Sequence, residues 1–128
     1  MAKILMIDDD PDVTDAGKMV LERHGHTVTV ANNVESGAEA IQASPPDLLI
    51  LDIMMENPDD GIVFARRLRK EGRRFPIIAL SSIGKVTGRD YDKDDEYLPV
   101  DDFVNKPVYP AILVEKVARL LANVGKDA

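Results

Sequence analysis

The feature that most restricts this chain is a regular exchange between two hydrophobic periods. Short aliphatic runs alternate with stretches whose apolar residues return every three or four positions. Lys3 to Ile7 is one such run and ends in three aspartates. Val13, Ala16, Gly17, Val20 and Leu21 then follow helical spacing, with Asp10 as N-cap, Pro11 as the first helical residue, and His24-Gly25 as the stop. Thr27 to Ala31 alternates and is rich in β-branched residues, as a strand should be. Asn32 and Glu35 resemble a capping box for a helix with Val34, Ala38 and Ile41 on one side, ended by Ser44-Pro45-Pro46.

The pattern then repeats. Leu48 to Leu51 is aliphatic throughout, the mark of a strand buried on both faces. Ile62, Ala65 and Leu68 share a helix side before Gly72, and Ile77 to Leu80 is a fourth strand. Asp102 to Asn105 is a short fifth, and Pro110 opens a helix carrying Leu113, Val117, Leu120 and Leu121. Connections too long for hairpins predict βαβ units, hence a parallel sheet with helices on both faces. Five strands suit an open doubly wound sheet better than a closed barrel.

Composition removes several classes of function. Without cysteine there is no disulfide framework, thiolate zinc site or cysteine nucleophile. A net charge of −7 repels nucleic acid, and 5% aromatics without tryptophan make no base-stacking platform, so direct DNA or RNA binding is not expected. The apolar runs are too short to span a membrane, and the N-terminus lacks a signal-peptide pattern, so the expected location is cytoplasmic. The 128 residues fit a single domain.

Open parallel sheets bind ligands beyond the carboxyl ends of their strands. There the chain places Asp8, Asp9 and Asp10 after the first strand, Asp52 after the third, Ser81 and Ser82 after the fourth, and Lys106-Pro107 after the fifth. Clustered carboxylates suit a hard divalent ion, and Mg²⁺ is the one expected. Such an ion, with a lysine and a hydroxyl, surrounds a place for a phosphoryl group. Gly84-Lys85 lacks the flanking residues of a P-loop, so a carboxylate acceptor for phosphate is favoured over a bound nucleotide. Asp10 reads as a cap, and Met54 and Met55 have thioethers too soft for Mg²⁺.

Four segments carry a family resemblance: Ile7-Asp8-Asp9-Asp10-Pro11, Leu51-Asp52-Ile53-Met54-Met55, Leu80-Ser81-Ser82, and Asp102-Phe103-Val104-Asn105-Lys106-Pro107. Together they resemble the response regulator receiver domain of two-component signal transduction, across nearly the whole chain. The resemblance implies a flavodoxin-like fold with strand order 2-1-3-4-5. It implies Asp52 as phosphoacceptor from a histidine kinase or phosphotransfer protein. It implies Mg²⁺ held by Asp8, Asp9, Asp52 and the backbone carbonyl of Met54. Lys106 would pair with the phosphoryl oxygens, Ser81 would hydrogen-bond them, Phe103 would be the aromatic switch, and the Lys106-Pro107 bond would be cis.

Two segments depart from the family pattern. The run Met54-Met55-Glu56-Asn57-Pro58-Asp59-Asp60-Gly61 is one residue longer than usual, with Glu56 in place of a proline. Between Ser82 and Asp101, where the family has its fourth helix, Gly84, Gly88 and the acidic run Asp90 to Glu96 predict an irregular segment from Gly84 to Val100.

The expectation is therefore one receiver domain over residues 1–128, a phosphorylation-activated switch and not an enzyme beyond its own phosphorylation and slow dephosphorylation. Its output would pass through a downstream protein or an effector domain outside this chain, with no membrane partner. Two alternatives stand beside it. One is an aspartyl-phosphate phosphohydrolase of haloacid dehalogenase type, echoed by Asp8-x-Asp10 but with Asp12 where its Thr or Val belongs. The other is a pseudo-receiver that keeps the fold without being phosphorylated.

Overall fold

The computed structural model describes residues 2–53, 60–81 and 100–127. Met54 and the segment 84–99, on which two of the expectations fall, lie outside the described residues. The elements run β1 (Lys3–Ile7), α1 (Pro11–Arg23), β2 (Thr27–Ala31), α2 (Val34–Ala43), β3 (Leu48–Asp52), α3 (Asp60–Lys70), β4 (Ile77–Ser81), β5 (Asp102–Asn105) and α4 (Pro110–Asp127). The five strands are parallel and ordered β2-β1-β3-β4-β5, as expected.

Alternate residues of each strand enter opposite layers, because successive side chains point to opposite faces. Ile4, Met6, Leu48, Ile50, Ile78 and Leu80 pack with Leu21 of α1 and with Leu113 and Val117 of α4. Leu5, Ile7, Leu49, Leu51 and Ile77 pack with Ile41 of α2 and with Phe64, Ala65 and Leu68 of α3. Burying each large aliphatic side chain stabilises the fold by about 1.5–3 kcal/mol. The central strands β3 and β4 are buried along their whole length, which explains their unbroken aliphatic sequence.

The helix ends place the loops that form the site. Asp10 caps α1 by accepting from the Asp12 N–H at 2.9 Å, and Pro11 takes the first turn. At the other end Gly25 adopts φ 91°, the left-handed geometry that a side chain would strain.

The start of α2 differs from expectation. Asn33, not Asn32, is the N-cap and accepts from the Ser36 N–H at 2.7 Å, so the Asn32–Glu35 box does not form. The Ala31 carbonyl still accepts from the Asp8 N–H at 3.1 Å, and the chain needs the next residue to turn out of the sheet.

Strands β3 and β4 each run one residue further than their aliphatic runs. Asp52 and Ser81 are thus strand residues, in register with Leu80 and Asn105. Ladder pairing continues past the apolar sequence because backbone hydrogen bonds do not depend on side-chain polarity.

Candidate functional site

The site lies at the carboxyl edge of β1, β3, β4 and β5. Asp8 and Asp52 are both 1% exposed, Ser81 is buried, and Asp9 is exposed. Carboxylate oxygens of Asp8, Asp9 and Asp52 all lie within 4.8 Å of one another. Lys106 reaches in from the end of β5, its Nζ 3.1 Å from Asp8 Oδ2 and 3.3 Å from Asp52 Oδ2. Its backbone is anchored where its N–H donates to the Ser81 carbonyl at 2.7 Å, and the Lys106–Pro107 bond is cis. The expected side chains thus meet in one place.

The charges are unevenly matched. Burial pushes the Asp8 pKa up to about 6. The hydrogen bond from the Asp10 N–H opposes that rise, the charge of Asp52 adds to it, and Lys106 offsets it only partly. Burial alone would lower the Lys106 pKa, but the charges of Asp8 and Asp52 and the hydrogen bond to Asp52 outweigh it and raise the value. Asp8 Oδ1 accepts from the Asp10 N–H at 2.9 Å, whereas among the described residues the buried Oδ2 has no hydrogen bond and only the ionic contact with Lys106. Three carboxylates on hard oxygen donors, one with an unbonded buried oxygen, suit a small divalent cation.

The hydroxyl and the aromatic ring sit beside this centre. Ser81 Oγ donates to Asn105 Oδ1 over a long 3.4 Å. Phe103 is half-buried and packs against the cluster of Ile53, Ile62 and Ala79.

Two residues were given no role from the sequence. Asn105 occupies the Ser81 hydroxyl, and only the β4–β5 register, Ser81 opposite Asn105, identifies it. Gly61 lets the first turn of α3 close on the end of β3. A Cβ there would lie 2.3 Å from Ile53 Cα and 2.5 Å from the Asp52 carbonyl oxygen, while the Gly61 N–H donates to the Ile53 carbonyl at 3.2 Å. Its signal was its place at the end of the run that follows Asp52.

An open parallel sheet that gathers acids, a hydroxyl and a lysine at one carboxyl edge has the groups that could hold a cation or a phosphoryl group, within an open α/β fold. Comparison with known proteins narrows this further. Residues 4–118 match the response regulator receiver domain, and the chain belongs to that family. It is 35% identical over 126 residues to the transcriptional regulatory protein CseB of Streptomyces avermitilis, covering 95% of this chain and 50% of that protein. The chain therefore spans about half the length of that regulator. The Francisella response regulator 1452 receiver domain superposes with a TM-score of 0.83 at 27% identity, covering 97% of this chain and 99% of that one. NtrX from Brucella abortus gives a TM-score of 0.86 at 25% identity over 98% of this chain and 28% of its own. The family places the chain in two-component signal transduction as a regulatory domain. Among the described residues, no helix is long and apolar enough to cross a membrane.

Proposed function

We propose that the chain, over residues 1–128, is a phosphorylation-driven receiver switch of the cytoplasm. In this reading Asp52 accepts a phosphoryl group from the phosphohistidine of a sensor histidine kinase or a phosphotransfer protein. The observation that carries it is the buried Asp52 carboxylate at the end of β3, 3.3 Å from Lys106 Nζ and clustered with Asp8 and Asp9. Mg²⁺ is the cofactor that fits. Asp8, Asp9 and Asp52 would hold it with the carbonyl of Met54, and it would neutralise charge developing on the transferred group.

The chain's own residues supply the rest. An Asp52 oxygen attacks phosphorus, the bond from phosphorus to the imidazole nitrogen breaks, and that electron pair leaves with the imidazole. Lys106, already beside Asp52, transfers its ionic contact to a phosphoryl oxygen. Ser81 gives up its long bond to Asn105 and donates to another. Phe103, packed at the surface of the Ile53–Ala79 cluster, follows Ser81 inward, shifting a pre-existing equilibrium between two conformations. The output passes to a downstream protein or an effector domain, without direct contact to nucleic acid or membrane.

Intact-mass spectrometry after incubation with acetyl phosphate and Mg²⁺ tests the assignment. One added phosphoryl group is expected, and none in Asp52→Asn. An undiminished adduct in that variant, or phosphate-monoester turnover that depends on Asp8 and not on Asp52, would overturn it.

A further inference from the structure

The chain is acidic overall, yet residues 66–74 hold six cations and one acid. That is a local charge of +5 in a chain of −7, so everything outside these nine residues sums to −12. Arg66, Arg67, Lys70 and Arg74 are exposed, and Val63, one turn before Arg66 and Arg67, is 58% exposed.

A helix C-terminus favours nearby cations, but only within its last turn. That does not explain Arg73 and Arg74, which follow the helix. Arg66 and Lys70 sit four positions apart, Arg67 and Lys70 three, spacings at which like charges repel. Glu71, 3.3 Å from Arg67, and Asp101, 3.0 Å from Arg69, offset part of this, and Arg66 also has a partner. Arg67 is also placed over the Phe64 ring, 6.0 Å from its centroid, which restricts where its guanidinium points. The patch is thus partly ordered, self-repelling, and set against a field of the opposite sign.

We propose that the exposed side of α3, continued through Arg73 and Arg74, docks a short acidic segment of a partner protein that carries an apolar residue at one end, seated on Val63. Charge complementarity selects an acidic occupant, and the extent of the patch selects a short one. From Val63 to the end of α3 and the two arginines beyond, the patch spans about 15 Å. A nucleic acid duplex would run off it onto the negative remainder, where it is repelled. An anionic bilayer would bring that same remainder against like charge. This surface is separate from Asp52, and the inference stands independently of the phosphorylation reading.

The test is fluorescence anisotropy with the full chain and a labelled peptide of six glutamates followed by one leucine. Saturable binding is expected, weakened more than fivefold between about 50 and 300 mM NaCl as screening increases. The triple variant Arg67→Glu, Lys70→Glu, Arg74→Glu should weaken it at least tenfold. Lys18→Glu with Arg23→Glu, on α1, should leave it within twofold. A folded control, Arg67→Gln, Lys70→Gln, Arg74→Gln, should give an intermediate affinity and a melting temperature no lower than the parent at low salt. Deleting the leucine should weaken binding to the parent and not to Val63→Ser. No binding, equal loss in the α1 variant, or tighter binding of a DNA duplex or of phosphatidylglycerol vesicles would overturn the proposal. An equal effect of the leucine in parent and Val63→Ser would overturn the placing of the apolar residue.

Discussion

Two clusters of carboxylates and cations stand a few residues apart, and their stoichiometries are opposite. Among the described residues at the carboxyl edge of the sheet, Asp8 and Asp52 share the cation Lys106, and Asp8 Oδ2 has no hydrogen bond. At the start of β5, Asp102 alone meets two cations, Lys116 at 2.9 Å and Arg119 through the other oxygen at 2.6 Å. Its oxygen Oδ1 also accepts from the Phe103 N–H at 2.8 Å. The first cluster raises the pKa of its acid to about 6. In the second, burial would raise the pKa of Asp102, but the bonds from Lys116, Phe103 and Arg119 and the charge of Lys116 outweigh it and lower the value. One site carries more acids than cations among the described residues, an imbalance that a bound cation would relieve. The other is satisfied and ties β5 to α4. The same residue types act as binding site or staple according to how many partners converge on each oxygen.

The comparison breaks most directly at Lys106. Lys106→Ala removes the cation that contacts both buried carboxylates, Asp8 and Asp52, and is expected to cost about 2–4 kcal/mol without divalent ions. Thermal melts in EDTA and in excess Mg²⁺ check this, and the ion should restore much of the loss. An equal loss in both conditions would show that Lys106 does not balance the acids.

Asp8→Asn should move stability the other way. The folded Asp8 pKa lies above its unfolded value, so its favourable contribution is present below pH 4 and is lost as the pH rises through about 6. At pH 7.5 without ions, Asp8→Asn is therefore expected to stabilise the fold by about 1–3 kcal/mol. It should also remove the gain that Mg²⁺ confers on the parent, itself about 1–3 kcal/mol at 10 to 100 times the dissociation constant. Denaturant titrations measure both quantities, and a destabilised Asp8→Asn would contradict the charge imbalance.

Asp102→Asn should destabilise by about 1–2 kcal/mol at neutral pH. The Asp102 pKa is lowered by folding, so its contribution is present above its unfolded value and lost as the pH falls through the folded value, below pH 4. Stability curves of parent and variant should converge at that acid end. The two clusters thus titrate with opposite sign, and urea midpoints at pH 3 and pH 7.5 distinguish them.

The smallest effect sharpens the first cluster. Mg²⁺ affinity should fall as the pH drops through about 6, because a proton competes for Asp8. Calorimetric titration at pH 5, 6 and 7.5 reads this. An affinity that does not change would place the ion elsewhere.

Much of this architecture was legible in the chain's hydrophobic periods, because burial on both faces demands an unbroken aliphatic strand. That is why β3 and β4 were located to within one residue, and why Asp8, Asp52, Ser81 and Lys106 could be set at one edge: a parallel sheet brings every strand's carboxyl end to the same side. The α2 cap was misplaced by one residue because Asn32 and Asn33 have the same local propensity. The pairing of Ala31 with Asp8, separated widely in sequence, chose between them.

What the sequence determined alone is the order of elements and the types of group that meet, since these follow from local periodicity and from the rule that parallel strands align. Tertiary structure alone decided how the partners divide. No spacing along the chain tells that Lys106 serves two acids while Asp102 receives two cations, that Asn105 holds the Ser81 hydroxyl, or that Gly61 must lack a side chain. Each of these depends on distances between segments far apart in sequence. Coulomb energy, burial and steric contact depend on those distances, not on separation along the backbone.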